Sequence, residues 1–235
     1  MTRILAIADE VSDSLYGDAL KGLAPDLVLS CGDLPVDYLE YIVTVLTVPL
    51  LYVPGNHDPE LGRRRMDQLE GFEPSLLMGS RPAAERLLDR RYGAPPGPEG
   101  CLNVDGRIAE AAGVVVAGLG GSVNYAPGPN RYTQGEMRRR ALRLEAHSFL
   151  RRPLGRARVD VLVTHSPPMG VGDESDDPAH VGFAAFHPLV ERLRPRLMLH
   201  GHVHPYGEDR PDRRLGSTRV VNVVPYRLLE IEGAA

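Results

Sequence analysis

Pro49-Leu50-Leu51-Tyr52-Val53-Pro54-Gly55-Asn56-His57-Asp58 runs from a short apolar stretch into a glycine turn bearing an amide, an imidazole and a carboxylate in succession. Residues 49–53 have the length and composition of a buried strand. Taken alone, the turn also reads as an ordinary Asn-rich turn with a surface histidine. Four more apolar runs end the same way. Ala8-Asp9-Glu10 closes the run over 4–8, and Gly32-Asp33 follows 27–30. Thr164-His165 follows 159–163, and Gly201-His202-Val203-His204 follows 197–200. If each run is a strand, these motifs gather at one edge of an α/β sheet, where such sheets bind ligands. Asp, Asn and His in one crevice are the donor set for divalent cations.

The connecting sequence supports that reading. Residues 15–23 and 37–46 are helix-like, the latter carrying Tyr38, Tyr41, Ile42 and Val45 at helical spacing. Strand, helix and strand at this pace imply right-handed crossovers and a parallel sheet. Over 61–100 the pattern weakens: Arg63-Arg64-Arg65, Pro82, Pro95, Pro96 and Pro98 interrupt it, and one helix is expected over 83–91. This segment reads as a surface excursion. Strands over 108–111 and 114–118 form a hairpin about Gly113. Thr133-Gln134-Gly135-Glu136 has capping-box spacing and opens a helix to about Leu150. A helix over 183–193 and strands over 220–224 and 227–231, around Pro225, complete the pattern. The motifs extend from Asp9 to His204, so one domain over 1–235 is expected.

Composition narrows the function. The 235 residues are 43% hydrophobic, yet no apolar run approaches the ~20 residues of a membrane span. Met1 leads within three residues into the first apolar run, too early for a signal peptide. Cys31 and Cys101 make no disulfide framework, so a cytoplasmic location is expected. A net charge of −4 opposes non-specific nucleic-acid binding. All of the 27 basic residues except Lys21 are arginine. Arg63-Arg64-Arg65 and Arg138-Arg139-Arg140 therefore read as solvated faces rather than as a nucleic-acid groove. Two divalent cations outweigh the charge of Asp9 and Asp33, and a locally positive pocket suits a small anionic substrate.

His202 and His204 are two residues apart, so in extended backbone their rings face the same side. That suits one imidazole for each of two neighbouring cations; a helix needs i, i+4 spacing instead. A pair of exposed turn histidines is the competing reading. Gly201 and Pro205 hold a sharp bend around the pair, which favours ligation.

Together, Asp9, Gly32-Asp33, Gly55-Asn56-His57-Asp58, His165 and Gly201-His202-Val203-His204 resemble the motif series of the calcineurin-like metallophosphoesterases, in that family's order and spacing. The resemblance implies an α/β fold, a two-sheet α/β/β/α sandwich with a dinuclear metal centre. It makes Asp33 the bridge between two metals, with Asp9 and His204 in site one and Asn56, His165 and His202 in site two. His57 is implied as the acid assisting the leaving group, with Asp58 orienting it. A hydroxide held between two cations ~3.5–4 Å apart then attacks phosphorus in line.

One position departs from the family. The first motif is usually Asp-x-His, but here it reads Asp9-Glu10-Val11, and Val11 cannot ligate. Glu10 should turn away from the site on a straight strand. Purple acid phosphatases also lack that His and use a Tyr three positions after the bridging Asp. Here that position is Val36, with Asp37 and Tyr38 the nearest polar residues. Site one is therefore expected to have Asp9, Asp33, His204 and water, and to bind metal more weakly than site two.

Softer signals surround this core. Thr164-His165-Ser166-Pro167-Pro168-Met169-Gly170 looks like a His-x-Pro-Pro-x-Gly loop found in part of the family, leading through Asp173, Asp176 and Asp177 to His180. His180 reads either as lining the substrate cleft or as a helix-start cap. Gly118-Leu119-Gly120-Gly121-Ser122 reads either as a phosphate approach or as hairpin geometry. Tyr125, Asn130, Arg131 and Tyr132 suit a packed surface loop, or a stacked base and a gripped phosphate. His147 and His187 read as structural and Cys31 as core. The leading function is metal-dependent hydrolysis of a small phosphomonoester or phosphodiester such as a nucleotide. Mn²⁺ is the leading cation, with Fe, Ni²⁺ or Zn²⁺ as alternatives. A nuclease and a scaffold that has lost the chemistry are the rivals. Val11 favours the scaffold; Asn56, His57, Asp58, His165, His202 and His204 oppose it.

Overall fold

The computed structural model describes residues 1–59, 97–151, 158–205 and 211–232. The helix expected over 83–91 and the Arg63-Arg64-Arg65 run lie outside the described residues. The first half builds β1 (Thr2–Ile7), a 3₁₀ turn (Asp13–Leu15), α1 (Gly17–Gly22), β2 (Leu27–Ser30), α2 (Val36–Leu46) and β3 (Leu50–Tyr52). Then come β4 (Cys101–Asn103), β5 (Ile108–Ala111), β6 (Val114–Leu119), β7 (Ser122–Val123), β8 (Arg131–Tyr132) and α3 (Gln134–Arg151). The chain continues with β9 (Val161–Thr164), α4 (Phe186–Leu193), β10 (Leu197–His200), β11 (Arg213–Leu215), β12 (Thr218–Asn222) and β13 (Tyr226–Ile231).

Two sheets form the body. One has strand order β13-β1-β2-β3-β4, the other β11-β12-β10-β9-β6-β5. β1 to β4 run parallel, with β13 antiparallel at the edge. In the second sheet β12, β10, β9 and β6 run parallel between antiparallel edges. Strand alternation sorts side chains into layers. Ile4, Ala6 and Ala8 of the first sheet meet Val161, Val163, Leu197, Leu199 and Val221 of the second in a shared core. Leu5, Ile7, Val28, Leu50 and Tyr52 face outward under Leu15, Leu20, Tyr38, Leu39 and Ile42 of the helical layer. On the far side Leu162, Met198 and Val220 pack under Met137, Ala141 and Leu144 of α3 and Phe186, Leu189 and Leu193 of α4. Helix, sheet, sheet, helix is the α/β/β/α sandwich expected from the sequence.

The expected helix over 15–23 is shorter because Tyr16 is extended and Gly17 takes φ 62°. The capping box forms: Thr133 N donates to Glu136 Oε2 at 2.8 Å, and Glu136 N donates to Thr133 Oγ1 at 3.2 Å. The expected start at 183 shifts to Phe186, where α4 begins. β4, β7, β8 and β11 are additions of two or three residues that carried no periodic signal.

Candidate metal centre

The parallel strands of both sheets point their carboxyl ends at one edge, and the polar motifs leave from there. Asp9, Asp33 and His202 take left-handed backbone at φ 61°, 57° and 67°. Outside glycine that conformation costs roughly 1–3 kcal/mol per residue and concentrates at functional sites. At two of these positions the turn is closed locally: Glu10 N donates to Ala8 O at 2.6 Å around Asp9, and Val203 N donates to Gly201 O at 2.8 Å around His202. Both are three-residue γ-turns. They break strand alternation and re-aim the side chains. Two glycines give the carboxylates room. A Cβ at Gly55 would collide with Asp33 Oδ1, and one at Gly201 would collide with Asp9 Oδ2.

His165 lies at the centre, fully buried. Its Nδ1 donates to Cys31 O at 2.8 Å. Its Nε2 faces Asn56 Oδ1 at 2.9 Å and Asp33 Oδ2 at 3.2 Å. His202 packs its ring 4.8 Å from that of His165, and its Nε2 donates to Ala179 O at 2.7 Å. In the neutral imidazole this leaves Nδ1 with the lone pair. One ligand atom each from Asp33, His165 and His202 lies within 4.8 Å of the others. Beside them, Asp9 accepts His202 N–H at 3.1 Å and 2.9 Å on its two oxygens. His204 Nε2 stands 3.9 Å from Asp9 Oδ1, while its Nδ1 bonds Glu10 Oε1 at 2.7 Å.

The charges are strongly coupled. Burial pushes the Asp9 carboxyl up to about 6, against the pull of His165 and the His202 N–H. Burial also pushes Asp33 upward, but the charge and hydrogen bond of His165, with the His57 N–H, hold it down at about 2. Burial disfavours the His165 cation, yet Asp33 and Asp9 outweigh it and raise the imidazole to about 9. His202, buried beside His165, is driven down to about 3. The buried imidazole of His165 is thus shared between two oxygen acceptors through a proton. A divalent cation fits that position, because carboxylate, amide oxygen and imidazole are its donors. The Cys31 and Ala179 carbonyls fix the ring orientations from behind, as outer partners of metal ligands do.

The remaining expected residues fall into two groups. His57 is exposed, with its backbone N–H on Asp33 Oδ1 at 2.8 Å. Asp58 Oδ2 accepts from Gly55 N at 2.8 Å and Asp33 N at 2.9 Å, tying the two motif loops together. Oδ2 of this carboxylate thus serves backbone, while the resemblance has Asp58 orient the His57 ring. Burial pushes the Asp58 carboxyl up. His180 bonds Asp177 Oδ2 through Nδ1 at 2.7 Å, and its ring lies 5.0 Å from that of His202. The N-cap of α4 is Ala185, so His180 does not cap that helix.

Asn130 Nδ2 donates to the Gly55 and Asp58 carbonyls, each at 3.0 Å, so its amide braces the metal loop. Arg131 is spent on its own loop, on Ala126 O and Pro127 O at 3.2 and 2.7 Å, and stacks 4.5 Å over Tyr125. Tyr132 lies under Arg140 at 4.0 Å. This arrangement is the packed loop. From this loop Tyr125 reaches Asn56: its hydroxyl accepts from Asn56 Nδ2 at 3.3 Å and from Arg131 at 3.0 Å. Tyr125, read from sequence as a base-stacking candidate, meets Asn56 instead, and Glu10, expected to turn away, meets His204.

A family model for calcineurin-like phosphoesterase matches residues 3–206. One solved crystal structure is similar with a TM-score of 0.55 and 19% identity, covering 94% of this chain and 90% of the other. The TT1561 protein of Thermus thermophilus is similar with a TM-score of 0.51 and 20% identity, covering 94% of this chain and 88% of that one. At these identities the likeness concerns the fold. No curated protein matches the chain by sequence. The matched span runs through every motif of the site, and on it the chain belongs to the calcineurin-like phosphoesterase family.

Proposed function

We propose that this chain is a dinuclear metal-dependent hydrolase of small phosphoric esters, with Mn²⁺ the leading cation. Family membership supports a metal-dependent phosphoesterase in general. The observation that carries the finer reading is the convergence of Asn56 Oδ1 and Asp33 Oδ2 on buried His165 Nε2, with Asp9 and His204 paired alongside. In this reading Asn56, His165 and His202 would hold one cation and Asp9 and His204 the other, with Asp33 shared between them. Bound divalent cations supply Lewis acidity to phosphoryl oxygens and acidify water. The chain's own residues do the rest. Asp58 and Asn130 fix the Gly55 to Asp58 turn, so that the exposed His57 imidazole stands at the mouth to protonate the departing oxygen.

Hydrolysis of p-nitrophenyl phosphate and bis(p-nitrophenyl) phosphate by metal-stripped protein resupplied with Mn²⁺ tests the reading. Metal-dependent turnover is expected, cut at least about 100-fold by His57→Ala and abolished by Asn56→Ala. The preferred ester separates monoesterase from diesterase. A scaffold is the second reading, favoured by Val11, which is 44% exposed and supplies no ligand. Absence of turnover with every divalent cation selects it. Among the described residues no helix is long and apolar enough to cross a membrane.

A further inference from the structure

We infer that Glu10 is a positioning residue of site one, orienting His204 for metal through its carboxylate at the place where Val11 supplies no ligand. The inference rests on the dinuclear reading above. On a straight strand Glu10 points away from Asp9. The strand is not straight there: Asp9 at φ 61° and the Glu10 N–H to Ala8 O bond turn the chain sharply. Glu10 Oε1 consequently reaches His204 Nδ1 at 2.7 Å, joining the end of β1 to the turn after β10. A carboxylate accepts only, so Nδ1 carries a hydrogen, and in the neutral imidazole that binds metal the lone pair is on Nε2. Nε2 is the nitrogen that faces Asp9 Oδ1, at 3.9 Å.

The position calls for such a support. The His204 side chain is 31% exposed, so it is less confined by packing than the fully buried His165. A carboxylate behind a metal-binding imidazole fixes its tautomer and rotamer and raises its basicity, and losing it typically costs 10–100-fold in metal affinity. Val11 is partly exposed and apolar, so site one relies on fewer side chains and gains more from each being held in place. Glu10 itself is half exposed in its side chain, so replacing it leaves the core intact.

Calorimetric titration of metal-stripped full-length chain with Mn²⁺ tests the inference. Wild type is expected to bind two ions with unequal affinity. Glu10→Ala is expected to weaken the weaker site by about 10-fold or more and leave the tighter one unchanged. Glu10→Gln keeps an acceptor for Nδ1–H and is expected to recover part of the loss. In a His204→Ala background Glu10→Ala is expected to have no further effect, because the two act as one unit. Nitrogen-15 spectra of the metal-stripped protein give a second readout. His204 is expected as the Nδ1–H tautomer in wild type and as a mixture in Glu10→Ala. Two ions bound with Glu10→Ala unchanged overturns the inference alone. An undiminished loss in the His204→Ala background also overturns it, making Glu10 a direct ligand. A single ion in wild type overturns it together with the dinuclear reading.

Discussion

His165 faces acceptors at both ring nitrogens, the Cys31 carbonyl at Nδ1 and the Asn56 and Asp33 oxygens at Nε2. Without a cation it satisfies them by staying protonated, with a folded pKa raised to about 9 from 6.5. A raised base contributes stability that is complete below pH 6.5 and lost as pH climbs through about 9. The large shifts of Asp9, Asp33 and His202 act at or below pH 6.5, so they leave that window clear. The melting temperature of metal-stripped protein is therefore expected to fall between pH 6.5 and 9. His165→Asn should be less stable yet flat across the window, and a flat wild-type profile would refute the assignment. Tyr125→Phe removes the acceptor of Asn56 Nδ2; if Asn56 holds the tighter cation as proposed, a few-fold weaker tight site with unchanged thermal stability is expected in Mn²⁺ calorimetry. These residues also mark how far sequence reached. That Asp9, Asp33, Asn56, His165, His202 and His204 come together was legible because chemistry-bearing types followed apolar runs. Glu10 was not, since its contact depends on positive φ at an aspartate, which residue type does not announce. Asn130 read either as a phosphate contact or as part of a packed loop, and its amide donates to two backbone carbonyls.

α3 acts on the site at a distance. Arg140, on its inner side, pairs with Asp105, donates to Gly120 O at 3.2 Å and lies over the Tyr132 ring. Asp105 Oδ1 also accepts Gly120 N at 2.7 Å, and Gly121 N donates to Pro54 O at 2.8 Å, directly ahead of Gly55. The Gly118 to Ser122 turn is therefore a strut between α3 and the metal loop. Arg140→Met removes the guanidinium from a carboxylate that is only 7% exposed, and a loss of about 3 kcal/mol is expected in denaturant unfolding. Thr133→Ala, which removes the helix cap, is expected to cost about 1 kcal/mol by the same measurement. Equal, small effects from both would mean that Arg140 serves only as an exposed helix charge. The capping box and the hairpin of β5 and β6 were readable because each is written in consecutive residues. The strut was not: glycines at 118, 120 and 121 announced a close approach without saying that Pro54 was the neighbour.

At the scale of the molecule, the proposed donors divide between the two sheets. Asp9, Asp33 and Asn56 follow β1, β2 and β3, whereas His165, His202 and His204 follow β9 and β10. The sandwich was legible because nearly continuous apolar strands ending in polar motifs require cover on both faces; the pairing of the two sheets came only with the resemblance. The face-to-face arrangement means that a cation held by Asn56 and His165 would be a cross-link between sheets that also meet through aliphatic packing and the His165–Cys31 and His202–Asp9 hydrogen bonds. Such a cross-link exists only in the folded state, so metal must stabilise the whole fold by mass action. At 100 times the dissociation constant the gain is about 2.7 kcal/mol. In a chain of this size that raises the melting temperature by roughly 5–10 °C. Mn²⁺ added to stripped protein should produce that rise as one cooperative transition, and chelation should reverse it. In Asn56→Ala the rise should shrink, because one sheet loses its grip on the tighter ion. Two separate transitions, with only one responding to metal, would show that the donors sit on one sheet's side and that the cation does not bridge the sandwich.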